Sequence, residues 1–340
     1  MKRLKAGVIG LGVGEQHIEG FRRAEVEVVA LCDIDPAKRA MARETYPACV
    51  LHESSDTLID DPQLDIVSIA SFDDHHAAQV VRAFDRGKHV FCEKPLCVTD
   101  ADLSAICDAL ARNPGVRLAT NTILRMSPRF HDLKQRIAEN GLGRIYYLEA
   151  DYNYGRLHKL QSGWRGRIPD YSVMLGGGIH MVDLVLWLSG SRVTEVTAFG
   201  NKICSEGYSF STPDMVVALL KFDNGVLGKV SANFGCVFPH FHKVSVYGTA
   251  ATFENDFGAA KLYRSRDPVS QPDRLATDYP GTRKGDLIPG FINAVRGTGR
   301  PAVEESEVIA AMAVCLAIDR SWKEGRPIEV QQLNCKRSYA

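Results

Sequence analysis

The chain carries no surplus of charge. Lys plus Arg and Asp plus Glu each number 41 over 340 residues, so no net field draws it to nucleic acid, an acidic polymer or a membrane surface. The expected partner is a small ligand recognised locally. Nor is there a Cys-x-x-Cys pair. The nine cysteines, at 32, 49, 92, 97, 107, 204, 236, 315 and 335, mostly lie inside apolar segments, which reads as reduced core thiols of a cytoplasmic protein rather than a zinc or disulfide framework. The histidines, including the adjacent His75 and His76, lack metal-ligand spacing, and no catalytic metal is expected. No segment reaches the ~18 uninterrupted apolar residues of a membrane helix. The basic start, MKRLKAGVIGLGVGEQH, imitates a signal peptide only faintly, because its apolar run is short, broken by glycine and closed by Glu15; a first strand is the better reading. There is no internal repeat and no low-complexity tract. The length exceeds one ordinary core and suits two domains.

What is present begins with a dinucleotide-binding pattern. Ala6 to Ile9 form an apolar strand, and Gly10-Leu11-Gly12-Val13-Gly14 turns out of it into a helical segment with Ile18 and Phe21 on one face. Gly10 and Gly12 permit a tight turn and let a pyrophosphate approach the backbone at a helix N-terminus. The usual third glycine would fall at Glu15; Gly14 comes one residue early and reads as taking over the close-packing role in a shortened loop. A second strand, Val26 to Leu31, ends in Cys32-Asp33. Asp33 lies 21 residues after Gly12, where the fingerprint places a carboxylate for the adenosine ribose. A carboxylate there repels a 2′-phosphate and favours NAD, while the nearby Lys38 and Arg39 keep NADP open.

The alternation of strand and helix continues. Asp65 to Ala70 reads as a strand ending at Ser71-Phe72-Asp73-Asp74-His75-His76, and a helix from Ala77 to Arg86 returns to GKHVFCEKP, Gly87 to Pro95. This rhythm predicts a parallel sheet with right-handed crossovers. Lys94 then sits at a strand's carboxyl end, outside which open parallel sheets bind their ligands. An X-Pro bond is the one peptide that is cis at modest cost, and a fixed turn at Pro95 would aim Lys94 inward.

Near residue 121 the character changes. A helix from Asp100 to Arg112 and a strand from Val116 to Ala119 close the first domain, 1–120. The second, 121–340, has a helix from about Ser127 to Glu139, then strands at Ile145 to Tyr154, Thr194 to Phe199, Met215 to Asp223, Val226 to Phe234, His242 to Tyr247 and Ala251 to Glu254. Strands in series without intervening helices predict antiparallel pairing. A final helix, about Glu304 to Glu324, carries Val308, Ala311, Met312, Cys315 and Ile318 at core spacing. The segment YNYGRLHKLQSGWRGRIPDY, Tyr152 to Tyr171, offers aromatic faces and guanidinium forks suited to a sugar ring, a carboxylate or a phosphate. Arg156, His158, Lys159, Trp164 and Arg165 are its substrate candidates; a solvated basic loop or a subunit contact explains them equally well. An anionic or nucleotide-linked sugar is slightly favoured over a neutral polyol.

GLGVGEQH, LCDIDPAKRA, DIVSIASFDDHH, GKHVFCEKPL and GGGIHMVDLVLWLSG together resemble the GFO/IDH/MocA oxidoreductases, the glucose-fructose oxidoreductase and inositol dehydrogenase family. The likeness extends over nearly the whole chain. It implies a Rossmann doubly wound parallel sheet followed by an α+β domain with a large, mostly antiparallel open sheet, the latter commonly carrying a homodimer or homotetramer interface. By this resemblance Lys94 matches the catalytic lysine and His180 the catalytic histidine, while Ser71 and His76 match positions lining the nicotinamide side; Asp73 stands where asparagine is usual. The expected cofactor set is Gly10, Leu11, Gly12, Val13, Gly14, Asp33, Ser71, His76, Glu93 and Lys94. The expected substrate set is Lys94, Asn121, Arg125, Tyr154, Arg156, His158, Lys159, Trp164, Arg165, Tyr171 and His180. One departure counts: many members carry an aspartate four residues before the histidine, and here that residue is Gly176. Asp183, Asp170 and Tyr171 are the groups available to stand in.

The chemistry expected is hydride transfer between a secondary alcohol of a sugar, sugar derivative or polyol and NAD(P), with His180 as base and Lys94 steadying the oxygen. Two rivals stand beside it. One is a catalytically silent sugar- or nucleotide-sensing co-regulator. The other is an enzyme with retained, recycled NAD, either a hydride shuttle or an NAD-dependent glycosidase.

Overall fold

The computed structural model describes residues 3–168 and 171–333; Asp170 and Cys335, both named above, lie outside them. The chain divides into two compact units. Among the described residues, the first takes in 3–123 with 282–309 and 333, and the second 124–281 with 310–332.

The first unit is a doubly wound parallel sheet. Its elements are β1 Lys5–Ile9, α1 Glu15–Arg23, β2 Glu27–Cys32, α2 Pro36–Thr45, β3 Val50–His52, α3 Ser55–Ile59, β4 Ile66–Ile69, α4 His76–Asp85, β5 His89–Cys92, α5 Asp100–Arg112 and β6 Leu118–Thr120. The six strands lie in the order β3-β2-β1-β4-β5-β6, and every pair is parallel. Strand β4 is buried at all four positions, as expected of a strand covered by helices on both faces, and so it reads as an apolar run without alternation. Helix starts are fixed locally. Asp35 caps α2 ahead of Pro36, and Thr99 and Asp102 form a reciprocal capping box on α5, each worth about 1 kcal/mol. The stretch 282–309 returns to this unit, and its helix, Ile288–Arg296, sets Phe291 against Phe91 of β5 with ring centroids 5.8 Å apart.

The second unit is a nine-stranded, mostly antiparallel sheet. After α6 Pro128–Ala138 come β7 Ile145–Asn153, α7 His158–Gln161, α8 Ile179–Ser189, β8 Val193–Asn201, β9 Met215–Phe222, β10 Leu227–Asn233, β11 Phe241–Gly248, β12 Thr252–Glu254, β13 Ala260–Tyr263 and β14 Asp273–Leu275. With the helix Ile288–Arg296 as α9 and the helix Glu305–Glu324 as α10, the last strand is β15 Ile328–Glu329. The order is β14-β13-β12-β11-β7-β10-β9-β8-β15. One pairing departs from the antiparallel expectation: β7 runs parallel to β10 over seven residues, because the chain leaves β7 through helices, enters the sheet again at β8, and returns through β9 to fill the gap with β10.

Alternation decides what each face of this sheet does. Leu148, Ala150, Tyr152, Ala218, Leu220, Val230 and Ala232 point inward and are buried. On the outer face Phe199, Leu219 and Leu227 are more than half exposed, interleaved with the Lys229–Asp151 ion pair at 2.8 Å. In α10, Val308, Ala311, Met312, Cys315 and Ile318 are all buried. Among the described residues no helix is long and apolar enough to cross a membrane.

Candidate active site

In the first unit, the carboxyl ends of five strands carry the sequence candidates. Gly10 follows β1, Asp33 follows β2, Ser71 lies just past β4, Glu93 and Lys94 follow β5, and Asn121 follows β6. The three glycines of the first turn have different physical reasons. Gly10 has φ +86°, and a Cβ on it would overlap the Ala70 carbonyl. A Cβ on Gly14 would overlap the Gly10 carbonyl and press on Ala70 and Val8, so Gly14 is the residue that lets α1 approach the sheet. Gly12 is exposed, and the nearest atom to its Cβ position is Lys38 Nζ at 3.6 Å. Among the described residues, nothing requires a glycine there. The open cradle fits a body from outside the chain, as a pyrophosphate at this turn would be.

Asp33 is built into that turn. Its carboxylate accepts the Leu11 backbone N–H at 2.7 Å and the Asp35 N–H at 2.9 Å, fixing the end of β2 against the glycine loop. Lys38 Nζ lies 3.5 Å from it. Arg39 donates to the backbone carbonyls of Asp33 and Ile34 and to Glu53. Val13 is partly exposed and Leu11 buried. His76 is fully buried, with one ring nitrogen 2.6 Å from the Pro95 carbonyl and the other 3.2 Å from that of Ser71. The ring thus ties the loop after β4 to the Lys94-Pro95 turn, whose peptide bond is cis, while the Ser71 hydroxyl donates to Gln79 at 2.7 Å.

Glu93 is the hub of a buried polar network. His17 Nε2 lies 3.2 Å from its carboxylate and His17 Nδ1 2.9 Å from the Ser68 hydroxyl. Asn121 donates to Glu93 at 2.7 Å and to the Lys284 carbonyl at 2.9 Å, and Lys284 Nζ stands 4.0 Å from the carboxylate. Burial pushes the Glu93 carboxyl up. The charge of Lys284, the hydrogen bond and charge of His17, and the neighbouring Lys94 outweigh it and hold the carboxyl well below the usual carboxylate range. Lys94 itself is half-buried. Asn121, read from sequence as a substrate contact, is fully buried and committed to this network. His17 and Lys284 were not legible as part of it, since they lie 76 and 191 positions from Glu93 along the chain.

In the second unit His180 stands in the first turn of α8. The turn before it, Met174–Gly178, is a π-helix, a form frequent at functional sites. A Cβ on Gly176 would overlap the Tyr171 hydroxyl, and one on Gly177 would overlap the Tyr152 ring. The space where the sequence lacks an acid is therefore filled by the phenol of Tyr171. Arg165 Nε donates to that phenol at 3.0 Å, and its guanidinium lies 4.4 Å over the Trp164 ring.

Arg125 is placed differently from its sequence reading as a substrate contact. It is 2% exposed and grips Asp183 with two nitrogens, Nε at 2.9 Å and Nη2 at 2.8 Å. A forked pair this deeply buried is internal architecture, and breaking it costs roughly 3–5 kcal/mol.

Around His180 lies an aromatic and imidazole cluster. Tyr152 stacks on His180 at 6.1 Å and on Tyr154 at 5.4 Å, and Arg156 lies 5.0 Å over Tyr154. His242 is 6.3 Å from His180, with His240 4.9 Å further on. His242 Nδ1 meets the Tyr279 hydroxyl at 2.6 Å, and burial pushes that phenol up to about 12. Tyr152, His240, His242 and Tyr279 were missed from sequence. Alternation on β7 and β11 marks a face and not a site for Tyr152 and His242, and His240 and Tyr279 lie outside both strands. His158, exposed, and Lys159, half-buried, stand on α7.

The glycine turn, the carboxylate at the end of β2 and the strand-end lysine define a dinucleotide-binding protein of the Rossmann type. Comparison with known proteins agrees. Residues 4–122 match the model described as an oxidoreductase family, NAD-binding Rossmann fold, and residues 130–254 match the GFO/IDH/MocA C-terminal domain. The chain belongs to the GFO/IDH/MocA family and is an NAD-binding oxidoreductase. It is 25% identical to myo-inositol 2-dehydrogenase of Thermotoga maritima over 97% of this chain and 99% of the relative. It is 24% identical to scyllo-inositol 2-dehydrogenase (NAD(+)) of Bacillus subtilis over 99% and 98%. In fold it resembles levoglucosan dehydrogenase in complex with NADH and levoglucosan, with a TM-score of 0.84 at 20% identity, covering 98% of this chain and 100% of that one.

Proposed function

We propose that the protein oxidises a secondary alcohol of a sugar, sugar derivative or polyol, with the first unit serving the dinucleotide and the second the substrate and a homo-oligomer contact. One observation carries the reading: Gly12, Asp33 and Lys94 stand together at the carboxyl edge of one parallel sheet, the edge outside which such sheets bind cofactor and substrate. Bound NAD supplies the acceptor for the carbon-bound hydrogen and its electron pair. Gly12 leaves room for the pyrophosphate, and Asp33 offers its carboxylate to the adenosine ribose. Because Arg39 is engaged by backbone carbonyls and Glu53, and Lys38 faces Asp33, NAD is favoured over NADP.

Lys94 donates a hydrogen bond to the reacting oxygen and steadies the negative charge that grows on it, an effect enlarged where water is excluded. Glu93, held ionised by its neighbours, keeps this lysine in an acidic setting. His180 accepts the hydroxyl proton, a role suited to an imidazole near neutral pH. The Tyr152–Tyr154 stack and the imidazoles of His240 and His242 give the second unit the flat faces and paired donors that a ring bearing several hydroxyls needs. The inositol dehydrogenases among the relatives favour this substrate class.

The test is NADH absorbance with a panel of myo-inositol, scyllo-inositol, levoglucosan and D-glucose. Lys94→Ala is expected to abolish turnover while NAD still binds; near-native turnover in that variant would remove the mechanism. Net NADH also separates this reading from a recycling enzyme, which forms product without it.

A further inference from the structure

Gly176 is buried in the π turn that leads into α8. Its φ is not in the left-handed region, so backbone geometry does not demand a glycine. What demands it is Tyr171: a Cβ at 176 would overlap the phenol oxygen and lie 2.5 Å from the ring carbon that bears it. The hydroxyl therefore occupies the space one helical turn ahead of His180. It is held there. Trp164 packs edge-on against the ring at 6.4 Å and Phe210 lies at the same distance, while Thr212 Oγ1 donates to the Tyr171 carbonyl at 2.5 Å. Tyr171 is 4% exposed, and Arg165 donates to its oxygen from a cationic nitrogen at 3.0 Å. A charge-assisted bond of this kind is about twice as strong as a neutral one. It draws electron density from the phenol and makes its O–H a stronger donor.

We propose that the Tyr171 phenol, polarised by Arg165, is the substrate-positioning group of this site: it hydrogen-bonds a hydroxyl next to the reacting one and so sets the reacting hydroxyl against His180. Gly176 is the residue that admits it. A phenol is a neutral donor and acceptor, which suits a vicinal hydroxyl of a polyol better than it suits a carboxylate or phosphate. The inference rests on the assignment of His180 as base.

The test measures kcat and KM separately on the member of the myo-inositol, scyllo-inositol, levoglucosan and D-glucose panel that is turned over best. Tyr171→Phe keeps the ring and removes only the oxygen. It is expected to lower kcat by about 10–100-fold through misplacement of the reacting group, with NAD affinity unchanged. Growing a carboxylate from residue 176 into the same space requires removing the ring, because the ring carbon blocks even Phe. Tyr171→Ala with Gly176→Asp is therefore expected to recover about tenfold over Tyr171→Ala alone. A merely structural role for Tyr171 would give no such rescue. If the wild-type enzyme turns over and His180→Ala does not, while Tyr171→Phe stays within about twofold of wild type, the inference falls alone. If His180→Ala matches wild type, the assignment of the base falls and takes the inference with it.

Discussion

At the scale of single residues, the site is governed by which charges are paired inside the protein. His180→Ala is expected to cost roughly 10²–10⁴ in kcat if the imidazole takes the proton, measured as NADH formation; less than a tenfold loss would move the base elsewhere. Glu93 gives a pH prediction. Its folded carboxyl titrates below the unfolded value because Lys284, His17 and Lys94 favour the charged form over the cost of burial. Its contribution is therefore fully present above the unfolded pKa of ~4.3 and fades as the pH falls toward the folded one. Glu93→Gln should cost roughly 1.5–3 kcal/mol at pH 7, and the gap to wild type should narrow in urea titrations at pH 3. A gap that is the same at both values would mean the carboxylate is not held ionised. Lys94 was legible because it follows an apolar strand and precedes proline. The partners that tune Glu93 were not, since nothing in the neighbourhood of His17 or Lys284 points to residue 93.

At the scale of elements, the glycine turn separates folding from binding. A Cβ meets protein atoms at Gly10 and Gly14 but only the flexible end of Lys38 at Gly12. Gly12→Ala should fold with an almost unchanged melting temperature and bind NAD at least tenfold more weakly by calorimetry, whereas Gly14→Ala should lose stability first, by about 1–3 kcal/mol for overpacking. Equal NAD affinity in Gly12→Ala would show that no ligand approaches there. The early glycine at 14 was read from spacing as the close-packing residue, and the Gly10 carbonyl standing where its Cβ would be gives the reason. The π turn at Met174–Gly178 had no such signal. Three successive glycines carry no periodicity, and their purpose appears only when the ring of Tyr171 is set against Gly176, that of Tyr152 against Gly177 and the Met174 sulfur against Gly178.

At the scale of the whole molecule, the outer face of the nine-stranded sheet is the proposed contact between copies. In register across the strands, Leu219 of β9 lies opposite Lys229 of β10, and Leu227 of β10 opposite Lys221 of β9. Leu219→Glu with Leu227→Glu should therefore pair with lysines in one chain while charging the shared face, and light scattering should report a monomer where the wild type is a dimer or tetramer. A wild-type monomer would discard the contact. The parallel sheet was legible from alternating apolar runs and helices. The parallel β7–β10 pairing was not, because strands in series suggest only antiparallel neighbours. Nor was the return of 282–309, which brings Lys284 to Glu93 and Phe291 to Phe91. That return sets a rule for hybrids between family members. Exchanging everything after residue 123 would give the nucleotide half a foreign lysine and a foreign aromatic plug, so a working chimera has to be spliced at three points and keep 282–309 with its parent.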